Sequence, residues 1–325
     1  MIFRKIIFVG LISSVLFSCN NDEKATTSPN PTTTPQARTT TPKKFLFDAT
    51  KAQTAGNADW VICENSSGTP IRYPSPLQST VTATTSENYW RGGLSAWGIA
   101  LVKEGHTVET LAPGAAITYG NTSNPQDLSN YNVYIVDEPN TLFTAAQKTA
   151  IINFVKNGGG LLMIANHNGS DRNNDGKDSA AIWNDLMTNN SVQTNPFGLA
   201  VELTNFSQTT TNILNDATNT ILNGSQGAVT QLKFSAGSSI KITPSANAAV
   251  KGLIWKTGLA KTSTTGVMCA SSTYFNGRVF LITDSSPADD GTGNPSDTLY
   301  PGWTEVSGNH SRLHLNASYW LAKLQ

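Results

Sequence analysis

Cysteine is scarce in this 325-residue chain, with three in all. So few exclude a disulfide-dense scaffold, and Cys63 and Cys269, on separate expected elements, are expected to be unpaired and buried. Charge is also thin: 14% of residues are charged, and 22 Lys+Arg face 22 Asp+Glu. A neutral chain without a basic stripe interleaved with aromatics excludes a nucleic-acid binder that must neutralise many phosphates. No apolar run is long enough to cross a membrane twice. What is present is a 38% hydrophobic fraction, enough for one large or two small domains with a full core. The abundance of Thr, Ser, Asn and Gly reads as an exported protein.

The amino terminus supplies the address. Arg4 and Lys5 precede an apolar stretch from Ile6 to Phe17, too short to span a bilayer but suited to a signal peptide. It ends in Leu16-Phe17-Ser18-Cys19, which resembles a bacterial lipobox. The resemblance implies a signal peptide at 1–18 and lipidation of Cys19, with the membrane as partner through the lipid anchor. The following Asn20-Asn21-Asp22-Glu23 resembles the acidic export signals of Bacteroidota lipoproteins, which implies the outer membrane or cell surface. Residues 19–43 are rich in Thr and Pro with almost nothing apolar, so they are expected to be a disordered tether.

Residues 44–325 alternate apolar strands with amphipathic helices. Phe45-Leu46-Phe47-Asp48, Tyr131 to Asp137-Glu138, Leu161 to Asn166-His167 and Arg278 to Asp284-Ser285 read as buried strands ending in polar residues. Helices are expected over Tyr89–Glu104, Thr144–Lys156, Ile182–Met187 and Ser311–Leu324, and short strands over about 190–275. This pattern predicts an α/β fold with a parallel sheet flanked by helices and an insertion of short strands. In such sheets a ligand crevice lies outside the carboxyl ends of the strands.

The segment from Phe143 through Gly158-Gly159-Gly160 to Asn166-His167, together with Gly277 to Asp284, resembles the ThuA-like branch of the class I glutamine-amidotransferase-like superfamily. That resemblance implies a flavodoxin-like sheet and an association with carbohydrates. Neither Cys63 nor Cys269 stands where the superfamily carries its nucleophile, so glutaminase chemistry is not expected.

Three constellations are candidates for chemistry. The strand ends would bring together Asp48, Asp137, Glu138, His167 and Asp284, with His167 as general acid/base and the carboxylates polarising water or holding a cation. Asp171, Asn173, Asp175 and Gly176 match the first half of an EF-hand-type calcium loop, with Asp178 in place of the missing twelfth-position ligand. Asn57, Asp59, Trp60, Tyr89, Trp90 and Ser285 would line the crevice as a substrate surface, the aromatic rings stacking on sugars. The reading that follows is a lipid-anchored hydrolase acting on a carbohydrate or related polymer. Its rivals are a glycan-binding lipoprotein without turnover and an inactive amidotransferase-like scaffold.

Overall fold

The computed structural model describes residues 41–294, 297 and 300–325. The signal peptide, Cys19 and nearly all of the tether lie outside the described residues. In chain order the main elements are β1 (Lys44–Asp48), α1 (Ser95–Lys103), β2 (Thr107–Leu111), β3 (Val133–Val136), α2 (Ala145–Lys156), β4 (Gly160–Ile164) and α3 (Ser179–Thr188). They continue with β5 (Leu199–Thr210), the two-residue strands β6 (Asn223–Gly224) and β7 (Gly227–Ala228), β8 (Leu232–Ile242), β9 (Lys251–Trp255), β10 (Val267–Tyr274), β11 (Gly277–Ile282) and α4 (His310–Leu321).

One nine-stranded sheet runs in the order β2-β1-β3-β4-β11-β10-β8-β5, with β9 also on β10. From β2 to β11 every pairing is parallel; from β11 onward every pairing is antiparallel. The expected α/β fold is therefore observed, and the 190–275 insertion extends the same sheet. It holds short strands, but also β5 and β8 of 12 and 11 residues.

The parallel strands are apolar at successive positions because both faces are covered. Phe45, Phe47, Val133, Ile135, Leu162 and Phe280 feed one core with Trp97 of α1 and Leu313 of α4. Their neighbours Leu46, Tyr134, Val136, Leu161, Met163 and Val279 feed the other with Ile151 of α2 and Trp183 of α3. Alternating side chains thus fill two layers, as a strand's period of two requires.

Local chemistry sets the helix ends. Thr144 caps α2 by accepting from Gln147 N, while Gln147 Oε1 accepts from Thr144 N, a reciprocal capping box. The turn out of α2 passes tightly beneath Gly277, where an added Cβ would stand 1.9 Å from Val155 O. Helix α1 begins at Ser95 and not near Tyr89, because Gly92 and Gly93 press onto the backbone of Val61 and Asp59 and hold the chain in a turn. Among the described residues no helix is long and apolar enough to cross a membrane.

Candidate functional site

Strands β1, β3, β4 and β11 are parallel, so their carboxyl ends share one edge of the sheet. Asp48, Asp137-Glu138, Asn166 and Asp284-Ser285 all arrive there. Chain order reverses between β1 and β3, which makes the gap beside Asp48 and Asp137 the topological switch point where such sheets take ligands.

Glu138 is the hub. Its backbone sits at φ 33°, a left-handed conformation that is costly for a residue with a side chain. The surroundings hold it there. Its carboxylate is fully buried and accepts from Arg172 Nε at 2.8 Å, Ser285 Oγ at 2.7 Å and Asn166 Nδ2 at 2.9 Å. Asn166 also donates to Ser285 Oγ at 3.1 Å, and Asn140 Nδ2 donates to the Glu138 carbonyl. Arg172 in turn donates to Asn57 Oδ1, and its backbone N donates to Asn140 Oδ1. One polar network therefore joins the ends of β3, β4 and β11 to the loops after β1 and β4.

Asp137 has the opposite environment. It is 1% exposed, and neither carboxylate oxygen has a hydrogen-bond partner among the described residues. Burial, followed by the charges of Glu138, Asp289 and Asp284, pushes its pKa well above the carboxylate range, and Arg172 offsets only part of this. Burial and the neighbouring acids thus oppose ionisation of Asp137 at the switch point.

The other strand-end acids are satisfied. Asp48 accepts from Tyr134 Oη, Thr50 Oγ1 and Gln53 Nε2 at 2.6–2.8 Å, a structural role. Asp284 accepts from the backbone N of Ser235 and Ser286, and burial raises its pKa to about 6. In the following loop Asp289 accepts from Gly291 N and Tyr300 N, and burial carries it to about 7. Asp290 accepts from Ala96 N at the start of α1. Asp59 is buried and, among the described residues, its oxygens lack partners; burial, then the charges of Glu64 and Asp297, push it up to about 8. Glu64 itself pairs with Arg91 at 2.6 Å.

Several expectations need correction. His167 stands at the end of β4, half-buried, but among the described residues its ring makes one hydrogen bond, with Asn168 O, and none with a carboxylate. Trp60 and Trp90 are core residues, 5% and 2% exposed, and Trp90 Nε1 donates to Pro76 O. Neither ring offers a stacking face. Tyr89 is exposed, with its hydroxyl against Thr80 Oγ1. Asn57 and Ser285 do reach the site, but as partners of Arg172 and Glu138.

The Asp171–Asp178 loop is closed by its own hydrogen bonds. Asp171 accepts from Asp175 N and Gly176 N, Asp175 from Lys177 N and Asn173 Nδ2, while Asn173 Nδ2 also donates to Asn140 O. Asp178 caps α3, accepting from Ala181 N and Gly169 N. Among the described residues no group of three or more His, Cys, Asp or Glu side chains is placed to hold a metal ion. What this loop does contribute is Arg172, a position inside the motif that carries no ligand role and gave no local signal. Cys63 and Cys269 are free and buried, as expected.

No protein-family model matches the chain, and no curated protein does. Solved structures similar to it include the mmIFT52 N-terminal domain, at 12% identity over 86% of this chain and 97% of that one, with a TM-score of 0.48. Others are ThuA-like proteins from Bacteroides uniformis (12% identity, 86% and 91% covered, TM-score 0.42) and Parabacteroides merdae (12%, 88% and 91%, 0.45). The α/β assignment itself rests on the sheet order.

Proposed function

We propose that this protein is an exported hydrolase that acts on a carbohydrate or related polymer, with Asp137 as the proton donor. The observation that carries the reading is the contrast between two adjacent acids at the switch point. Asp137 is buried, without a hydrogen-bond partner among the described residues and in surroundings that oppose its charged form, whereas Glu138 is clamped by a guanidinium and two neutral donors. Two carboxyl groups in such unlike surroundings can divide the acid and charge-stabilising roles of glycoside hydrolysis. A neutral acid at physiological pH can protonate a leaving oxygen as the bond breaks. Glu138, fixed in position, stabilises the positive charge that develops on the sugar. The resemblance to ThuA-like proteins supports the carbohydrate class, and the lipobox-like Leu16–Cys19 segment supports export to the outer membrane or cell surface on a lipid anchor.

The test is Asp137→Asn, which keeps shape and removes the proton. Reducing-end release from a panel of polysaccharides is measured for wild type and variant, with circular dichroism confirming the fold. Turnover by the wild type and its loss in Asp137→Asn is the expected result. Equal turnover by both would reject Asp137 as donor, and wild-type binding without any turnover would assign the protein to the glycan binders.

A further inference from the structure

On the antiparallel side of the sheet, away from the switch point, three concavities of about 440, 360 and 400 Å³ all touch Asp216. Each is in the size range of a small-ligand site. Lys251 lines the first and second, Lys261 the first and third, so the three form one groove along the segment 211–223. We propose that this groove binds an extended oligosaccharide, at a site separate from the acidic crevice.

The wall is preorganised. Leu214 N donates to Leu253 O, Asp216 accepts from both the N and Oγ1 of Thr218, and Asn219 Oδ1 accepts from Ile221 N and Leu222 N. Asn223 Nδ2 closes the turn on Asp216 O. A rigid wall loses little entropy when a ligand arrives.

The opposite wall offers groups that the protein leaves unused. Ser271 and Thr273 are two apart on β10 and so share a face. Among the described residues neither hydroxyl is hydrogen-bonded, and Lys251 and Lys261 are exposed without an ion pair within 4 Å. Beside them stands Trp320, half-exposed, whose ring carries the Arg278 guanidinium 5.0 Å from its centre. An aromatic plate next to free hydroxyls and ammonium groups matches a sugar ring, which has an apolar face and a rim of groups that both donate and accept.

Other ligand classes fit less well. The groove has no helix N-terminus among its lining residues, and Arg278 beside it donates to the carbonyls of Trp320 and Gln325, so a phosphate would lack its usual donors. Its many hydroxyl, amide and charged side chains disfavour a lipid or an apolar small molecule. Two lysines against the single Asp216 favour sugars that bear carboxylates.

The test is calorimetric titration of the full mature chain with oligosaccharides of β-glucose, β-xylose and α-galacturonic acid. The expected result is binding of at least one of them, weakened about tenfold or more by Trp320→Ala. Thr273→Trp, at an exposed position, fills the groove without opening the core and is expected to block binding too. Lys251→Ala with Lys261→Ala should weaken galacturonate binding most and reduce its salt dependence. No binding to any of the three, or binding that both Trp320→Ala and Thr273→Trp leave at wild-type strength, would overturn the proposal. Asp137→Asn separates the two sites: it removes the proton donor and is expected to retain groove binding, so failure of the crevice reading leaves this result intact.

Discussion

Removing Arg172 tests the polar network at the sheet edge most directly. Its Nε and Nη2 lie 2.8 and 3.4 Å from the Glu138 carboxylate, whose side chain is 0% exposed against 21% for the arginine. Arg172→Ala leaves Ser285 and Asn166 as donors but strands a buried negative charge without a cation. Breaking a buried pair from one side costs about 3–5 kcal/mol, since the remaining charge keeps its desolvation penalty. At about 2–4 °C per kcal/mol for a chain of this size, the melting temperature should fall by on the order of 10 °C.

Adding Glu138→Gln to the variant removes the stranded charge and should recover most of the loss. Urea titrations of the three proteins measure this. A gap between wild type and Arg172→Ala under about 1 kcal/mol, or no recovery in the double variant, would refute the reasoning that Glu138 is a buried charge held by Arg172.

Other outcomes follow from the same structure. Asp289 and Asp59 have folded pKa values of about 7 and 8, above their unfolded values, so once the histidines of the unfolded chain have titrated the native state should lose stability as pH rises from about 6.5 to 8, and Asp289→Asn should flatten that slope. Glu305, lowered to about 2 by Lys233 and Ser307, and Asp127, lowered by its ring of donors, titrate below that window and leave its sign unchanged; thermal melts showing stability rising with pH would contradict the burial of these acids. Gly277→Ala drives a methyl group to within 1.9 Å of Val155 O and should cost about 2–4 kcal/mol, measurable by urea denaturation. Cys19→Ser should abolish incorporation of labelled fatty acid in cells and release the protein from the membrane fraction; retention at the membrane would reject the anchor.

The parallel half of the sheet was legible because both-face burial writes itself as unbroken apolar runs, and each run in this chain stops at a polar residue on the same edge. The antiparallel half was harder to read. Strand β5, Leu-Ala-Val-Glu-Leu-Thr-Asn-Phe-Ser-Gln-Thr-Thr, alternates in burial over most of its length, but its register against β8 shifts between Glu202 and Phe206 and again between Phe206 and Gln208. Irregular pairing of this kind breaks the clean period of two on which strand recognition depends. The start of α1 was misplaced for a different reason. Leu94, Trp97 and Leu101 do have helical spacing, but the turn at Gly92-Gly93 is imposed by backbone from residues 59–61, a tertiary contact. Trp90 looked like a surface ring in a Gly-rich loop, yet its indole found a carbonyl 14 positions away, which let the whole side chain go into the core.

The site itself shows where local pattern stops being informative. Asp48 and Asp137 are the same residue type at the ends of adjacent parallel strands, and as sequence they are equivalent. Folding gives Asp48 three donors, from Tyr134 on the neighbouring strand and from Thr50 and Gln53 in the next loop, whereas Asp137 receives none among the described residues and is ringed by other acids. Leaving a buried polar group unpaired costs about 1–3 kcal/mol, and a domain with ordinary margins of stability retains few such groups. The contrast is decided by Arg172 as well, since its guanidinium reaches back 34 positions to Glu138 and leaves the neighbouring acid without a partner. What separates a structural carboxylate from one available for chemistry at this edge is therefore the distribution of donors after folding, and Asp137 is the strand-end acid that the distribution passes over.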